Sequence, residues 1–596
     1  MSVLSQSFLI TITRREQVAQ IRGFAVYVVT GVAITPCSSQ TEAEAAIAKT
    51  ARHLKNEPAD ALEDDTDTQE DDGEALPRAS EDVDEVDDVI DDSSVEAESS
   101  VSEPVTSTVA EDVIRRRGSF GRFAQRWFSK KGWVLNQRQS MGLSRPALEP
   151  VPPATPPPGT KPTRSSEDSL EAIASTFLPK LLHTTQIFFG SSRSFFFSYD
   201  FDITRRWGEC GPFSSDVPLY AQVEPTYFWN NHLLQPFLSV GAESVALPVM
   251  QGFVGQRPFM MDRDPPQVDD SEPDAMEMSS FLSGGSGPTS PPAEEIKDAA
   301  ERRASEQDLL ITLISRRSIK RAGLRYMRRG IDEDGNAANT VETEQIMSTP
   351  WWNSSSPNGS KTYSFVQTRG SIPVFFTQSP YSFKPVPALH HSPEANLAAM
   401  QKHFDLLHQS YGSIHLVNLV EKNNTEAVVG DAYSKYVAEA NEGRAEHEKI
   451  AFEWFDFHDI CRGMKFENVS KLLEKIRGDL DRFGNTVEAD GKVLKHQSGV
   501  FRTNCMDCLD RTNVCQSMFA RYMLEAQLRE EGFDMSAQVD QNDVWFNTIW
   551  ADNGDAVSNQ YASTAAMKGD FTRTRKRDYR GTLNDLGLSL TRFYNG

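Results

Sequence analysis

Cys505 and Arg511 bracket five residues in the run Arg502-Thr-Asn-Cys505-Met-Asp507-Cys508-Leu-Asp510-Arg511-Thr512-Asn513. A loop of that length between a strand end and a helix start can curl around a tetrahedral phosphate with its backbone N–H groups turned inward. Arginine at the helix start closes the ring with a planar, two-toothed fork. The cysteine then lies under the phosphorus, and both the helix dipole and Arg511 favour its thiolate. A thiolate there can attack in line and form a phosphocysteine, which water then hydrolyses. The spacing alone is common by chance. Cys505-x2-Cys508 is at most half a zinc site, because no second CxxC or spaced His pair accompanies it.

The flanks suit this loop. Residues 496–501 (HQSGVF) read as a short entering strand. Downstream, Val514, Met518 and Tyr522 share one helical face with Cys515, Phe519 and Met523 beside them, and Thr512 or Asn513 is placed to cap the helix. Further out, SFLITIT (7–13), FAVYVVTGVAI (24–34) and FFFSYDFDITR (195–205) read as strands, as do LLITLIS, SIPVFFT and SIHLVNLV beyond residue 308. Helical spacing appears over 398–410, 465–483 and 513–530. The mixture predicts an α/β fold for 308–596.

The chain has 596 residues and a net charge of −24. Residues 57–112 carry 23 Asp and Glu against Arg78 alone, a net of −22, so the remainder holds only −2 and can own basic surfaces. That acidic stretch has too little apolar area to offset ordering entropy and is expected to be disordered. Residues 113–138 interleave eight Arg and Lys with Phe120, Phe123, Trp127, Phe128 and Trp133. A Pro-rich stretch (146–163) and a polar interruption near 263–304 follow. Six cysteines are too few for a disulfide scaffold in a chain this long. The start lacks a basic leader and a long apolar core, and no run approaches the ~18 apolar residues of a membrane span. A reducing, soluble environment is expected, with an anchor beyond Gly596 left open.

RTNCMDCLDRTN (502–513) resembles the signature of the Sac-domain, or suppressor-of-actin, phosphoinositide phosphatases. Residues 311–346, 368–380 (TRGSIPVFFTQSP), 453–473 (EWFDFHDICRGMKFENVSKLL) and 550–577 are similar to further blocks of that family, in its order. The resemblance implies an α/β catalytic domain of cysteine-phosphatase type over 305–596, preceded by a β-rich N-terminal Sac subdomain over 1–56 plus 166–262. Long disordered insertions (57–165, with a flexible one at 263–304) would interrupt them. It also implies a phosphoinositide substrate, most often the 4-phosphate of phosphatidylinositol 4-phosphate, with no metal and no cofactor.

By that resemblance Cys505 is the nucleophile and Arg511 binds phosphate. Asp507 is a candidate proton donor whose pKa a nearby phosphate should raise. Asp510 is a second candidate, with a structural role equally open. Thr512 could hydrogen-bond the thiolate or the phosphate. Asn504, a candidate substrate-binding residue, stands where tyrosine phosphatases commonly have His, and the loop has acidic residues and no glycine. A lipid therefore fits better than a phosphotyrosine protein. Cations must come from elsewhere: Lys320, Arg321, Arg325, Arg328 and Arg329 are candidates, as are Arg573, Arg575, Lys576 and Arg577. Asp456 and His458 are lower-ranked acids. A catalytically inactive phosphoinositide-binding scaffold and a protein phosphatase are the alternatives.

The expected partner is a phosphoinositide-containing membrane surface rather than nucleic acid, with protein partners left open. The expected location is cytoplasmic, peripheral on endoplasmic reticulum, Golgi or endosome. Segment 113–138 suits an anionic leaflet, and the acidic stretch could mask it.

Overall fold

The computed structural model describes residues 2–3, 6–56, 166–209, 217–265, 305–325, 327–350, 361–379, 386–462, 466–507, 509–538 and 543–567, with Arg573 and Leu588 beyond them. The insertion expected over 57–165 and its proposed masking, residues 266–304, Cys508, Arg575, Lys576 and Arg577 lie outside the described residues.

Alternation of Phe8, Ile10 and Ile12 does start a strand, but β1 runs on to Ile21 (Gln6–Ile21). It pairs antiparallel with β2 (Phe24–Pro36) through a two-residue turn in which Arg22 and Gly23 both have positive φ (51° and 84°). That left-handed pair matches the twist of the strands it joins. Helices α1 (Gln40–Asn56) and α2 (Ser166–Ser191) follow.

The aromatic run at 195 forms strand only over β3 (Phe195–Phe197). Beyond it the chain is taken up by other bonds. Asp202 accepts from Thr204 N and Oγ1, while the carbonyls of Ile203 and Arg205 accept from the buried Arg316. Helix α3 (Asn231–Leu238) leads to β4 (Met250–Asp262), which pairs antiparallel with β5 (Glu306–Arg317) from Gly252↔Arg316 to Asp262↔Glu306. The expected boundary near 262–305 thus falls between two strands paired along their length.

Strands β6 (Val341–Ser348) and β7 (Lys361–Arg369) continue the antiparallel order. Then the sheet changes character. β8 (Ser413–Asn418), β9 (Ala451–Trp454) and β10 (Gly499–Asn504) join in the parallel order β7-β10-β8-β9, in a sheet that counts 13 strands among the described residues. SIPVFFT is extended only at Phe376–Thr377. Its first half instead crosses the end of the parallel strands, where Ser371 O accepts from Arg502 and Val374 O from Ile331 N.

Apolar faces on the helices bury this region on both sides. Helices α4 (Pro393–Tyr411) and α5 (Ala427–Asn441) place Met400, Phe404, Val429 and Tyr433 against Ile414 and Leu416. Helices α6 (Ser470–Phe483), α7 (Asp510–Glu530) and α8 (Val544–Ala562) place Leu472, Phe519 and Trp550 against Tyr363, Phe365 and Phe501. Val514, Cys515, Phe519 and Met523 of α7 are buried as their spacing predicts, with Met518 and Tyr522 packed at the edge. Side-chain amides pin α7 to the sheet: Gln345 donates to Ala520 O, Gln367 to Gln516 O and Gln516 to Thr368 O, each at 3.0 Å. Buried amides that are paired in this way fix one orientation of the helix over β7.

Candidate active site

In open α/β sheets ligands gather beyond the carboxyl ends of parallel strands. Here four connections meet at that edge: 370–375 after β7, 419–426 after β8, 455–460 after β9 and 505–509 after β10. The Cys-x5-Arg run is the last of these, between a wholly buried strand and a helix of 21 residues.

Cys505 sits at the strand's end and is 3% exposed. Thr512 Oγ1, fully buried on the first turn of α7, donates to its sulfur at 3.5 Å. Leu509, at the N-cap, brings no side-chain cap, and Asn513 donates to Trp550 O, so neither expected capping residue caps. Asp510 accepts from Met567 N at 2.6 Å and ties α7 to the segment after α8.

Arg511 reaches back across the edge to Glu426. Its two terminal nitrogens meet both carboxylate oxygens at 2.9 and 3.1 Å, and one also donates to Leu419 O at 3.3 Å. Glu426 is itself held by Glu421 N. Burial opposes the arginine's charge, but Glu426, Cys505 and Asp507 outweigh it, so Arg511 stays protonated more firmly than usual. Nothing local in the sequence marks Glu426, which lies 85 residues upstream.

Asp507 is held by arginines in the site without phosphate. Burial works to raise its pKa, yet the guanidiniums of Arg329, Arg325 and Arg511 hold it well below the usual carboxylate range. Arg325 bonds one oxygen at 3.1 Å, Arg329 the other, and Arg329 also donates to Met506 O at 2.6 Å. In this arrangement Asp507 is a carboxylate and an anchor. Arg329 reaches the loop because Gly330 (φ 66°) turns the chain tightly past residues 374–376, with Gly330 N donating to Ser371 Oγ at 2.9 Å. A Cβ at 330 would press into the Val374 carbonyl.

The other candidates are distributed as follows. Arg321 donates to Arg329 O and supports the same turn, whereas Lys320 and Arg328 are exposed beside it. Asn504, expected to touch substrate, is fully buried beneath the loop, donating to Asn418 Oδ1 at 2.7 Å and accepting from Arg502. Arg573 bonds Asp552 and Asp555. Asp456 caps a one-turn helix and accepts from Lys422 N, steadying the connection that carries Glu426, while His458 is exposed.

Two buried residues under the loop escaped the sequence reading. Arg502, on β10, donates to Ser371 O at 2.5 Å and to His403 Nε2 at 2.9 Å, while His403 Nδ1 lies 2.8 Å from Gly335 O. Burial and the Arg502 charge, only partly offset by Gly335 O, push His403 down to about 3. It is therefore neutral at physiological pH. Among the described residues no cluster of three or more His, Cys, Asp and Glu could hold a metal ion, and no helix is long and apolar enough to cross a membrane.

A cysteine at the end of a parallel strand, near Arg325, Arg329 and Arg511, narrows the family, and comparison with known proteins fixes it. The SacI homology domain family matches residues 1–462, and the chain belongs to that family. Phosphatidylinositide phosphatase SAC2 of Danio rerio is 37% identical over 425 residues, covering 70% of this chain and 35% of the relative. Phosphoinositide phosphatase SAC7 of Arabidopsis thaliana is 35% identical over 408 residues (67% of this chain, 59% of the relative). Phosphatidylinositol-3-phosphatase SAC1 of Saccharomyces cerevisiae is 32% identical over 428 residues (67% and 58%). The matched stretch thus spans about a third of SAC2 and under three fifths of the other two.

Proposed function

We propose that the chain is a phosphoinositide phosphatase. It removes a phosphomonoester from the inositol ring, the 4-phosphate of phosphatidylinositol 4-phosphate first among them, at a membrane surface facing the cytoplasm. The observation that carries this reading is Cys505 at the end of β10, with the Thr512 hydroxyl on its sulfur and Arg511 opening the helix behind it. The names of the relatives point to the same substrate class.

The Cys505 thiolate attacks phosphorus, an S–P bond forms, and the ester oxygen leaves with a proton. Water then attacks the phosphocysteine, inorganic phosphate departs, and the thiolate returns. Arg511, oriented by Glu426, neutralises charge on the phosphoryl oxygens. Arg325 and Arg329 are the nearest further cations. An incoming phosphate dianion competes with Asp507 for them and so opens the loop over the nearly covered sulfur. Once these guanidiniums turn to the phosphate, the Asp507 carboxyl loses what depresses its pKa and becomes able to hold a proton for the leaving oxygen.

The test is phosphate release from short-chain phosphoinositides carrying the 3-, 4- or 5-phosphate, with EDTA present. The wild-type chain should turn over at least one of them and Cys505→Ser none. Turnover of phosphopeptides instead would establish the protein phosphatase. Binding without turnover would establish the scaffold.

A further inference from the structure

Far from Cys505 in sequence, the N-terminal part of the sheet holds a concavity of about 430 Å³. β1, β2, β3, α2 and α3 line it, with Phe8, Ile10, Phe189, Phe195, Trp229 and Leu233 in its wall. Phe189, Phe195 and Trp229 pack on one another in tilted and edge-to-face contacts, with ring centres 4.6 to 5.7 Å apart. Among the described residues no charged side chain lines it. We propose that this groove takes one acyl chain of an anionic membrane lipid.

Size, polarity and charge each point to that occupant. A cavity of ~150 Å³ accommodates the six carbons of benzene, so this groove suits a hydrocarbon on the order of 15 carbons. Such a chain asks for no hydrogen bonds, and the groove offers few. Asn230, its most buried polar side chain, is already spent: Oδ1 accepts from Val249 N at 2.8 Å and Nδ2 donates to Leu247 O at 2.9 Å. An extended peptide would bring backbone N–H and C=O groups that need partners, which makes a polypeptide the poorer fit.

The rim supplies the charge. Tyr199 lines the groove and is 47% exposed, and Arg15 donates to its hydroxyl at 2.8 Å while lying over the Tyr199 and Tyr27 rings. A guanidinium fixed at the edge of an apolar groove matches a lipid whose phosphate stays in water as its chain enters. Leu9 and Val245, both on the wall, are 36% and 58% exposed, so the opening itself presents apolar atoms.

The test needs no turnover and so stands or falls apart from the chemistry at Cys505. The full chain, free of detergent, is titrated with dansyl-undecanoic acid and then competed with palmitoyl lysophosphatidylinositol or uncharged hexadecanol. Saturable binding of one probe per chain is expected. Leu233→Trp, which fills the groove, should weaken it by on the order of tenfold or more. Arg15→Gln should weaken the anionic competitor severalfold while sparing hexadecanol. If Leu233→Trp unfolds the chain, Val245→Glu at the exposed rim should repel the anionic ligands without a core cost. Probe binding unchanged in Leu233→Trp or Val245→Glu overturns the proposal. So does a groove variant that alters the oligomeric mass without altering probe binding, since a second copy would then be the occupant.

Discussion

Glu426→Gln probes the site at its least conspicuous member. The Glu426 carboxylate meets Arg511 at 2.9 and 3.1 Å, and the two side chains are 15% and 25% exposed. At ~3 Å and an effective dielectric of ~20 the gross attraction is about 5–6 kcal/mol, most of it offset by desolvation. Removing one partner costs ~0–1 kcal/mol for an exposed pair and ~3–5 for a buried one. These exposures place the pair between those limits, at about 2 kcal/mol. Glutamine keeps one acceptor and turns a donor toward the other guanidinium nitrogen, so Arg511 loses its two-point hold. If that hold orients Arg511 toward the transition state, about 2 kcal/mol lowers kcat/KM roughly 30-fold. The loss should fall chiefly on kcat. The assay is steady-state phosphate release from short-chain phosphatidylinositol 4-phosphate, with thermal melts alongside. Unchanged or raised kcat/KM in a folded variant would refute the reasoning, because Glu426 would then be competing with phosphate for Arg511.

Arg316→Met should cost on the order of 3–5 kcal/mol in urea unfolding. It takes away the guanidinium bonded at 3.0 and 2.6 Å to Glu342 and Glu344, which are 2% and 0% exposed. Adding Glu342→Gln and Glu344→Gln should recover much of that loss, and a loss under 1 kcal/mol in the single variant would contradict it. His403 should make stability fall with acid: the folded state refuses a proton until about pH 3 while the unfolded chain accepts one near 6.5. The interval is worth at most about 5 kcal/mol, present at neutral pH and lost progressively below about 6.5. His403→Asn should flatten the unfolding free energy between pH 6.5 and 4, and an unaltered slope would count against the assignment. Gly330→Ala forces a side chain into a left-handed position against Val374. It should lower stability by about 1–2 kcal/mol and raise KM through Arg329; a wild-type melt and KM would dismiss both.

The reactive loop was legible because its parts are local. Strand 499–504, the five-residue spacing and the apolar face of α7 all lie within about thirty residues, and each has its own period. What stayed hidden depends on distance. Glu426 finds Arg511 only because β8 and β10 are neighbours, and Arg325 and Arg329, singled out as cations for substrate, meet Asp507 across 182 and 178 residues. Without phosphate those two guanidiniums hold the Asp507 carboxyl low, an ion-pair cluster that no local spacing announces. Asn504, though next to Cys505 in sequence, is turned by the pleat into the protein, where it bonds Asn418. The strand reading of 195–205 and 371–377 failed where aromatic and branched residues serve the core from irregular chain held by side-chain bonds.

The order of strands across the sheet has a consequence for biosynthesis. β10 lies between β7 and β8, yet it leaves the ribosome after both. Until residue 504 emerges, two nascent strands each expose a row of unmatched backbone groups, a template for wrong pairing. The segment that bears the nucleophile is therefore also the wedge that closes the parallel layer. Chains stopped before it should depend heavily on chaperones.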